Sequence, residues 1–92
     1  MSADISRCRL VIHGKVQGVF FRDSVRRRAT DGGVAGWALN RDDGAVEIVL
    51  EGPSDAVQAV AEYSRNGPER ARVESVDERE EEPEGLSGFE IR

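Results

Sequence analysis

The chain has 92 residues and a formal charge of −5, which suits one small domain with a modest core. An acidic surface repels nucleic acid and anionic membranes, so neither is an expected partner, and no apolar run is long enough to span a bilayer. A single cysteine, Cys8, excludes an intramolecular disulfide and a cysteine zinc site, and it points to a reducing cytoplasm.

The opening Met1-Ser2-Ala3-Asp4 leads into charged residues without the apolar segment of a secretory leader. Only one basic residue is a lysine, Lys15. Arginine with excess Asp and Glu suits either a high-salt or a high-GC host. Folding as a function of salt separates the two, because salt screens like-charge repulsion.

From Arg7 to His13 the apolar residues Cys8, Leu10 and Ile12 alternate, the period of a strand with one covered face. Arg7, Arg9, Val11 and His13 are then expected on the other, open face. Gly14-Lys15-Val16-Gln17-Gly18 breaks the alternation. Phe21, Val25 and Ala29 recur every four residues, a helical stripe, and Asp31-Gly32-Gly33 ends it. A second strand is predicted from Val34 to Asn40 and a third from Ala45 to Glu51, with a hairpin turn ending in Asp43-Gly44 between them.

Gly52-Pro53-Ser54 punctuates the chain, with Ser54 as the expected N-cap of a second helix and Asp55 at its positive end. Val57, Val60 and Ala61 give its buried stripe, and Asn66-Gly67-Pro68 stops it. Val73 and Val76 are three apart, which is wrong for a regular strand; a strand is still predicted there, with a bulge as one way to fit them. Asp77 to Glu84 reads as an acidic, solvated turn, and Phe89 and Ile91 alternate in a final short strand.

This order predicts an α+β fold: a ferredoxin-like α/β sandwich, βαββαβ plus a short C-terminal strand, with a mainly antiparallel sheet and two helices on one face. Such a scaffold hosts many activities, so function has to be argued from a site.

The segment with the most chemistry is Ile12-His13-Gly14-Lys15-Val16-Gln17-Gly18-Val19-Phe20-Phe21-Arg22. A glycine-bearing loop joins a strand to a helix start, and backbone N–H groups of such a loop and first helical turn bind anions. Arg22 stands at that helix start, and its planar fork can hold two phosphate oxygens at once. The spacing is neither a Walker loop nor a dinucleotide fingerprint. On pattern alone, a tight turn whose arginine only pairs with a surface acid is the favoured reading.

The same stretch resembles the acylphosphatase signature, an aliphatic residue followed by Gly-x-Val-Gln-Gly-Val-x-Phe-Arg, with every position filled. The second signature follows as Gly36-Trp37-Ala38-Leu39-Asn40-Arg41-Asp42-Asp43-Gly44-Ala45-Val46, closing at Gly52, and the likeness continues through Gly67-Pro68, Ala71-Arg72-Val73 and Gly88-Phe89-Glu90-Ile91. Gly32 stands where relatives often carry leucine. Leu39 and Arg41 flank Asn40 where relatives carry other residue types.

The resemblance implies hydrolysis of the carboxyl-phosphate bond of acyl phosphates without metal or cofactor. Gly14, Lys15, Val16, Gln17, Gly18, Val19, Phe20 and Phe21 would cradle the phosphoryl group, Arg22 would bind its oxygens, and Asn40 would hold the attacking water. The implied partners are a small acyl phosphate and phosphate, and the implied state is a cytoplasmic monomer.

The remaining residues have plainer readings. His13, the sole histidine, is a structural or surface residue before it is a general base. Cys8 is a packed core thiol rather than a nucleophile. Trp37 and Tyr63 pack. Arg26-Arg27-Arg28 spreads over most of a helix turn, as a solvated face does. The run Asp77-Glu78-Arg79-Glu80-Glu81-Glu82 lacks the spaced ligands of a calcium loop.

Three other functions compete with hydrolysis. An anion-binding module would use Arg22 as a clamp without turnover. A ferredoxin-like RNA binder would show aromatics on its exposed central strands, where this chain offers Arg7, Arg9, Val11 and His13. The acylphosphatase-like domain of hydrogenase-maturation proteins is accompanied by zinc-finger cysteines, which are absent from this sequence.

Overall fold

The computed structural model describes residues 4–92; Met1-Ser2-Ala3, the start of the segment read as lacking a leader, lies outside the described residues. The elements run β1 (Ile5–Lys15), α1 (Phe21–Gly32), β2 (Ala35–Asn40), β3 (Val46–Pro53), α2 (Ser54–Asn66), β4 (Arg72–Glu81) and β5 (Phe89–Ile91). They build a five-stranded sheet in the order β4-β1-β3-β2-β5. Neighbours are antiparallel except β5, which runs parallel to β2.

Because β1 and β2 both pair antiparallel with β3, they are parallel to each other, and α1 crosses over β3 to join them. α2 crosses β1 in the same way, joining β3 to β4. Two such split crossovers make the ferredoxin-like sandwich that the element order predicted.

The core lies between the sheet and the helices. Leu10, Ile12, Ala38, Val46, Ile48 and Leu50 meet Phe21, Val25 and Ala29 of α1 and Val57, Val60 and Ala61 of α2. Period two on the strands and period near 3.6 on the helices put these residues on facing surfaces. Each full burial of a branched side chain stabilises by about 1.5–3 kcal/mol. Ser64 is also buried on α2, and its hydroxyl donates to the Val60 carbonyl at 2.8 Å, so its polarity is satisfied.

The bulge that fits Val73 and Val76 into one strand lies in β4. Register runs His13 opposite Ser75 and then Gly14 opposite Val73, leaving Glu74 as the extra residue. That insertion returns both valines to the helix-side face, where they pack against the core. Only glycine fits opposite it: a Cβ on Gly14, whose φ is 130°, would stand 2.1 Å from the Arg72 carbonyl oxygen.

Three local expectations change. Ser54 is the first residue of α2 rather than its cap; Pro53 occupies the cap, and the Ser54 hydroxyl donates to the Asp4 carbonyl instead. The acidic stretch is no solvated turn through Glu81, because Asp77 to Glu81 form the second half of β4, paired with β1. The face opposite the helices is also less open than predicted. Arg7 and Glu51 are each 4% exposed there.

Arg7 donates to Glu81 at 2.9 Å and to Glu51 at 3.3 Å, and it pairs with Glu84 at 3.1 Å. Arg9 donates to Glu81 at 2.6 Å and pairs with Glu47. Glu51 accepts the backbone N–H groups of Glu84, Gly85 and Leu86 at 2.8–2.9 Å. A lattice of charges therefore ties the β4–β5 connection onto the sheet.

Hydrogen bonds from Arg9 and then Arg7 hold the Glu81 carboxyl down from the usual 4.5 to about 2, against an opposing push from burial. Burial pushes Glu51 up, but the amides of Glu84, Leu86 and Gly85 and the Arg7 guanidinium leave it net lowered. A carboxylate depressed on folding contributes stability that is complete above its unfolded value and lost as pH falls through its folded value. Denaturant midpoints are therefore expected to fall as pH drops from 4.5 towards about 2. Glu81→Gln should start lower at neutral pH and show a flatter acid limb; an equally steep limb would show that the loss arises elsewhere.

Candidate active site

The sheet register brings the two signature segments together. Val46 of β3 lies opposite Ile12 of β1 on one side and opposite Asn40 of β2 on the other. With adjacent strands about 4.8 Å apart, Asn40 lies roughly 10 Å across the sheet from Ile12. β1 and β2 also finish at the same edge. Asn40 shares its strand face with the core residue Ala38, so it looks towards the helix layer and the start of α1.

Beyond Lys15 the chain turns through residues 16–20 before α1 begins. Val16 and Val19 are buried and pin this loop to the core. Phe20 is 71% exposed and left-handed, with φ 63° and ψ 26°. For a bulky side chain this conformation costs about 1–3 kcal/mol and typically persists at functional sites. It turns the backbone into α1. There the Phe20 carbonyl accepts both the amide of Ser24 at 3.0 Å and its hydroxyl at 2.9 Å.

Among the described residues, the amides of Gly18 to Asp23 meet no protein acceptor. Unpaired N–H groups at the positive end of a helix form an anion site.

A cleft of about 450 Å³ opens here, lined by Val16, Gly18, Phe20, Phe21, Arg22, Asp23, Asn40 and Ile91. It brings Arg22 and Asn40 to one space. Gly14, Lys15, Gln17 and Val19 are not on its wall. Gly14 sits at the bulge, Lys15 closes β1 opposite Arg72, and Val19 packs inward. Gln17 reaches sideways, its Nε2 donating to the carbonyls of Arg41 at 2.7 Å and Ala45 at 3.0 Å. It thereby staples the loop to the hairpin that carries Asn40.

Sequence reading did not anticipate Asp23, Ile91 or the role of Arg92. Asp23 pairs with Arg26 at 3.0 Å on the first turn of α1. Ile91 lies opposite Ala38 on β2. The Arg92 amide donates to the Ala38 carbonyl at 2.8 Å, and its own carbonyl accepts Arg22 Nη1 at 3.2 Å. The Arg92 guanidinium stands 4.7 Å from the Trp37 ring centre, and that of Arg9 stands 5.3 Å from it. The alternation of Phe89 and Ile91 was visible in the sequence, but no local pattern marks a parallel partner fifty residues away.

Other groups are otherwise engaged. Arg41 pairs with Asp43 at 3.1 Å and Glu47 at 3.3 Å. The Asp43 carboxyl is lowered by the Ala45 amide and then by Arg41. His13 Nε2 lies 3.0 Å from an Asp77 oxygen. The Cys8 thiol is buried, and burial followed by Glu78 pushes it up to about 11, so it is a core group. Among the described residues no three His, Cys, Asp or Glu side chains gather as metal ligands would.

Residues 8–91 match the family profile described as Acylphosphatase. An acylphosphatase of Pyrobaculum arsenaticum is 57% identical over 83 residues, covering 89% of this chain and 87% of the relative. One from Haloarcula marismortui is 48% identical over 87 residues, covering 95% and 96%. The crystal structure of acylphosphatase from Bacillus subtilis superposes with a TM-score of 0.90 at 40% identity, covering 95% of this chain and 98% of that one. The chain belongs to the acylphosphatase family. It is an enzyme, and its activity is the hydrolysis of acyl phosphates.

The Gln17 staple yields a test. Gln17→Leu removes both donors, and a displacement near 1 Å between catalytic groups can cost about 10²-fold in rate. The expected outcome is a fall in kcat of roughly ten- to a hundredfold, with phosphate inhibition retained and only a modest loss of melting temperature. Unchanged kcat would show that the loop holds its place without the staple.

Proposed function

We propose that the phosphoryl group of a small-molecule acyl phosphate sits against the backbone amides of the loop and the first turn of α1. Arg22 takes two of its oxygens and offsets their charge, and Asn40 orients the attacking water with its carboxamide. The observation that supports this reading is that Arg22 and Asn40 line one cleft together with Gly18 and Phe20.

In this mechanism the water oxygen attacks phosphorus in line with the bond to the acyl oxygen. The P–O bond to the acyl group breaks, and its electron pair leaves as a carboxylate. The water's proton passes to a phosphoryl oxygen of the substrate. The products are the carboxylate and inorganic phosphate. A carboxylate leaves without prior protonation, so no general acid is needed. Phosphoryl transfer then depends on position and on the stabilisation of spread charge.

Arg22 is suited to the part because its guanidinium is held at one corner by the Arg92 carbonyl. A planar fork fixed in this way presents its remaining N–H groups with less loss of freedom. We also take the protein to be a cytoplasmic, monomeric single domain that uses no metal or cofactor.

Benzoyl phosphate hydrolysis with chelator present tests the scheme. Removing one fixed transition-state donor typically costs about 10²–10³-fold in rate. Arg22→Ala is expected to abolish both turnover and inhibition by phosphate. Asn40→Ala is expected to lower kcat by roughly 10²–10³-fold and leave phosphate inhibition intact. Loss of phosphate binding in Asn40→Ala with normal turnover of bound substrate would reverse the assigned roles.

A further inference from the structure

A second depression, of about 670 Å³, lies beside the cleft on the other side of the loop, lined by Lys15, Gln17, Gly18, Val19, Glu69, Arg70, Ala71 and Arg72. It shares Gly18 with the catalytic cleft. A Cβ built on Gly18 would meet nothing within 4 Å, so the ridge between the two hollows carries no side chain and has open space above it.

The charge here is unusual for this chain. Among the described residues, Lys15, Arg22, Arg27, Arg28, Arg70 and Arg72 have no Asp or Glu carboxylate within ion-pair distance, whereas the other arginines all do. Arg28 lies over the Tyr63 ring at 4.3 Å, and Arg22 is in the catalytic cleft. Lys15, Arg70 and Arg72 are gathered in the adjoining depression, where Glu69 is the single opposing charge. This concentration occurs on a protein with a formal charge of −5.

The arrangement also opposes folding. Lys15 and Arg72 are direct cross-strand partners at the end of the β1–β4 ladder. Like charges directly opposite one another destabilise a sheet. The β4 bulge sets this register, since unbroken pairing onward from His13 and Ser75 would put Val73 rather than Arg72 opposite Lys15. A like-charge pair retained beside the phosphate loop, with no acid drawn in to neutralise it, is what a site for an external anion needs.

We infer that Lys15, Arg70 and Arg72 form a specificity subsite that takes a second anionic group, a carboxylate or a phosphate, on the acyl portion of the substrate. The inference rests on the proposed placement of the phosphoryl group in the neighbouring cleft. An acyl phosphate crossing the bare Gly18 ridge then has its phosphoryl end on the amides and Arg22 and its far anion among the three cations. Acyl phosphates with a neutral acyl group leave the subsite unused.

The test compares benzoyl phosphate with benzoyl phosphates bearing a carboxylate or a phosphonate at the para position. In the double variant Arg70→Gln/Arg72→Gln, KM for both para-charged substrates is expected to rise roughly fivefold, the scale of two exposed ion pairs. kcat/KM for benzoyl phosphate should be unchanged, and the difference between substrates should shrink with added salt. The arm with the larger shift identifies the preferred anion.

Arg72→Glu supplies a second readout. It turns the like-charge pair into an opposite one, so it should raise the melting temperature while worsening KM for the para-charged substrates. Equal losses on all three substrates would reduce the patch to general steering, and no change on any would reduce it to solvated surface; either overturns the subsite. Failure of the wild type to hydrolyse benzoyl phosphate would instead overturn the phosphoryl placement on which the inference rests.

Discussion

The pairing of β3 with both β1 and β2 is the constraint on which this molecule depends. Val46 has Ile12 on one flank and Asn40 on the other. Antiparallel pairing on both sides makes β1 and β2 parallel, so their chain ends emerge at one edge. The loop after β1 and the last residue of β2 then share a cleft although Arg22 and Asn40 are eighteen positions apart in the sequence. Slipping β2 by one residue would turn Asn40 to the far face of the sheet. Gly36 and Ala38 resist that slip: Ala38 is fully buried on the helix side, and a Cβ in place of Gly36 would stand 1.8 Å from the Val49 carbonyl oxygen.

Around this frame the two faces of the sheet are closed by different physics. The helix side is closed by apolar packing. The other side is closed by Arg7, Arg9, Glu47, Glu51 and Glu81, with Trp37 beneath Arg9 and Arg92. Buried ion pairs are weak contributors as wholes, yet losing one partner typically costs about 3–5 kcal/mol because the other charge is left stranded. What the lattice supplies is position. Glu51 holds the amides of residues 84–86, which fixes where the chain enters β5, and β5 delivers the Arg92 carbonyl to Arg22.

The site concentrates unfavourable local choices. Phe20 is held left-handed, a run of amides finds no protein partner among the described residues, and Lys15 faces Arg72. Natural chains break local rules mainly where function needs it and compensate elsewhere. Here the compensation is visible in Val16 and Val19, which anchor the loop in the core, and in the Gln17 staple. In the proposed reading these donors are in place before substrate arrives, so little reorganisation is needed.

Much of this was legible along the chain. Alternation gave β1 and β3, the Phe21–Val25–Ala29 stripe gave α1, and the misfit of Val73 and Val76 pointed to the bulge found at Glu74. Such features obey short-range periodicity, which depends only on neighbours within a turn or a pleat. The signature residues were equally visible, because a loop that cradles an anion needs its glycines and its arginine close together in sequence. Tertiary structure alone decided that the acidic stretch would pair with β1, that Glu51 and Arg7 would be buried, and that Ile91 and Arg92 would wall and brace the cleft. Those outcomes follow from strand order and register, and from which charges meet across 30 to 75 residues of chain. No window of local sequence contains both partners, so the interaction comes into being only when the sheet closes.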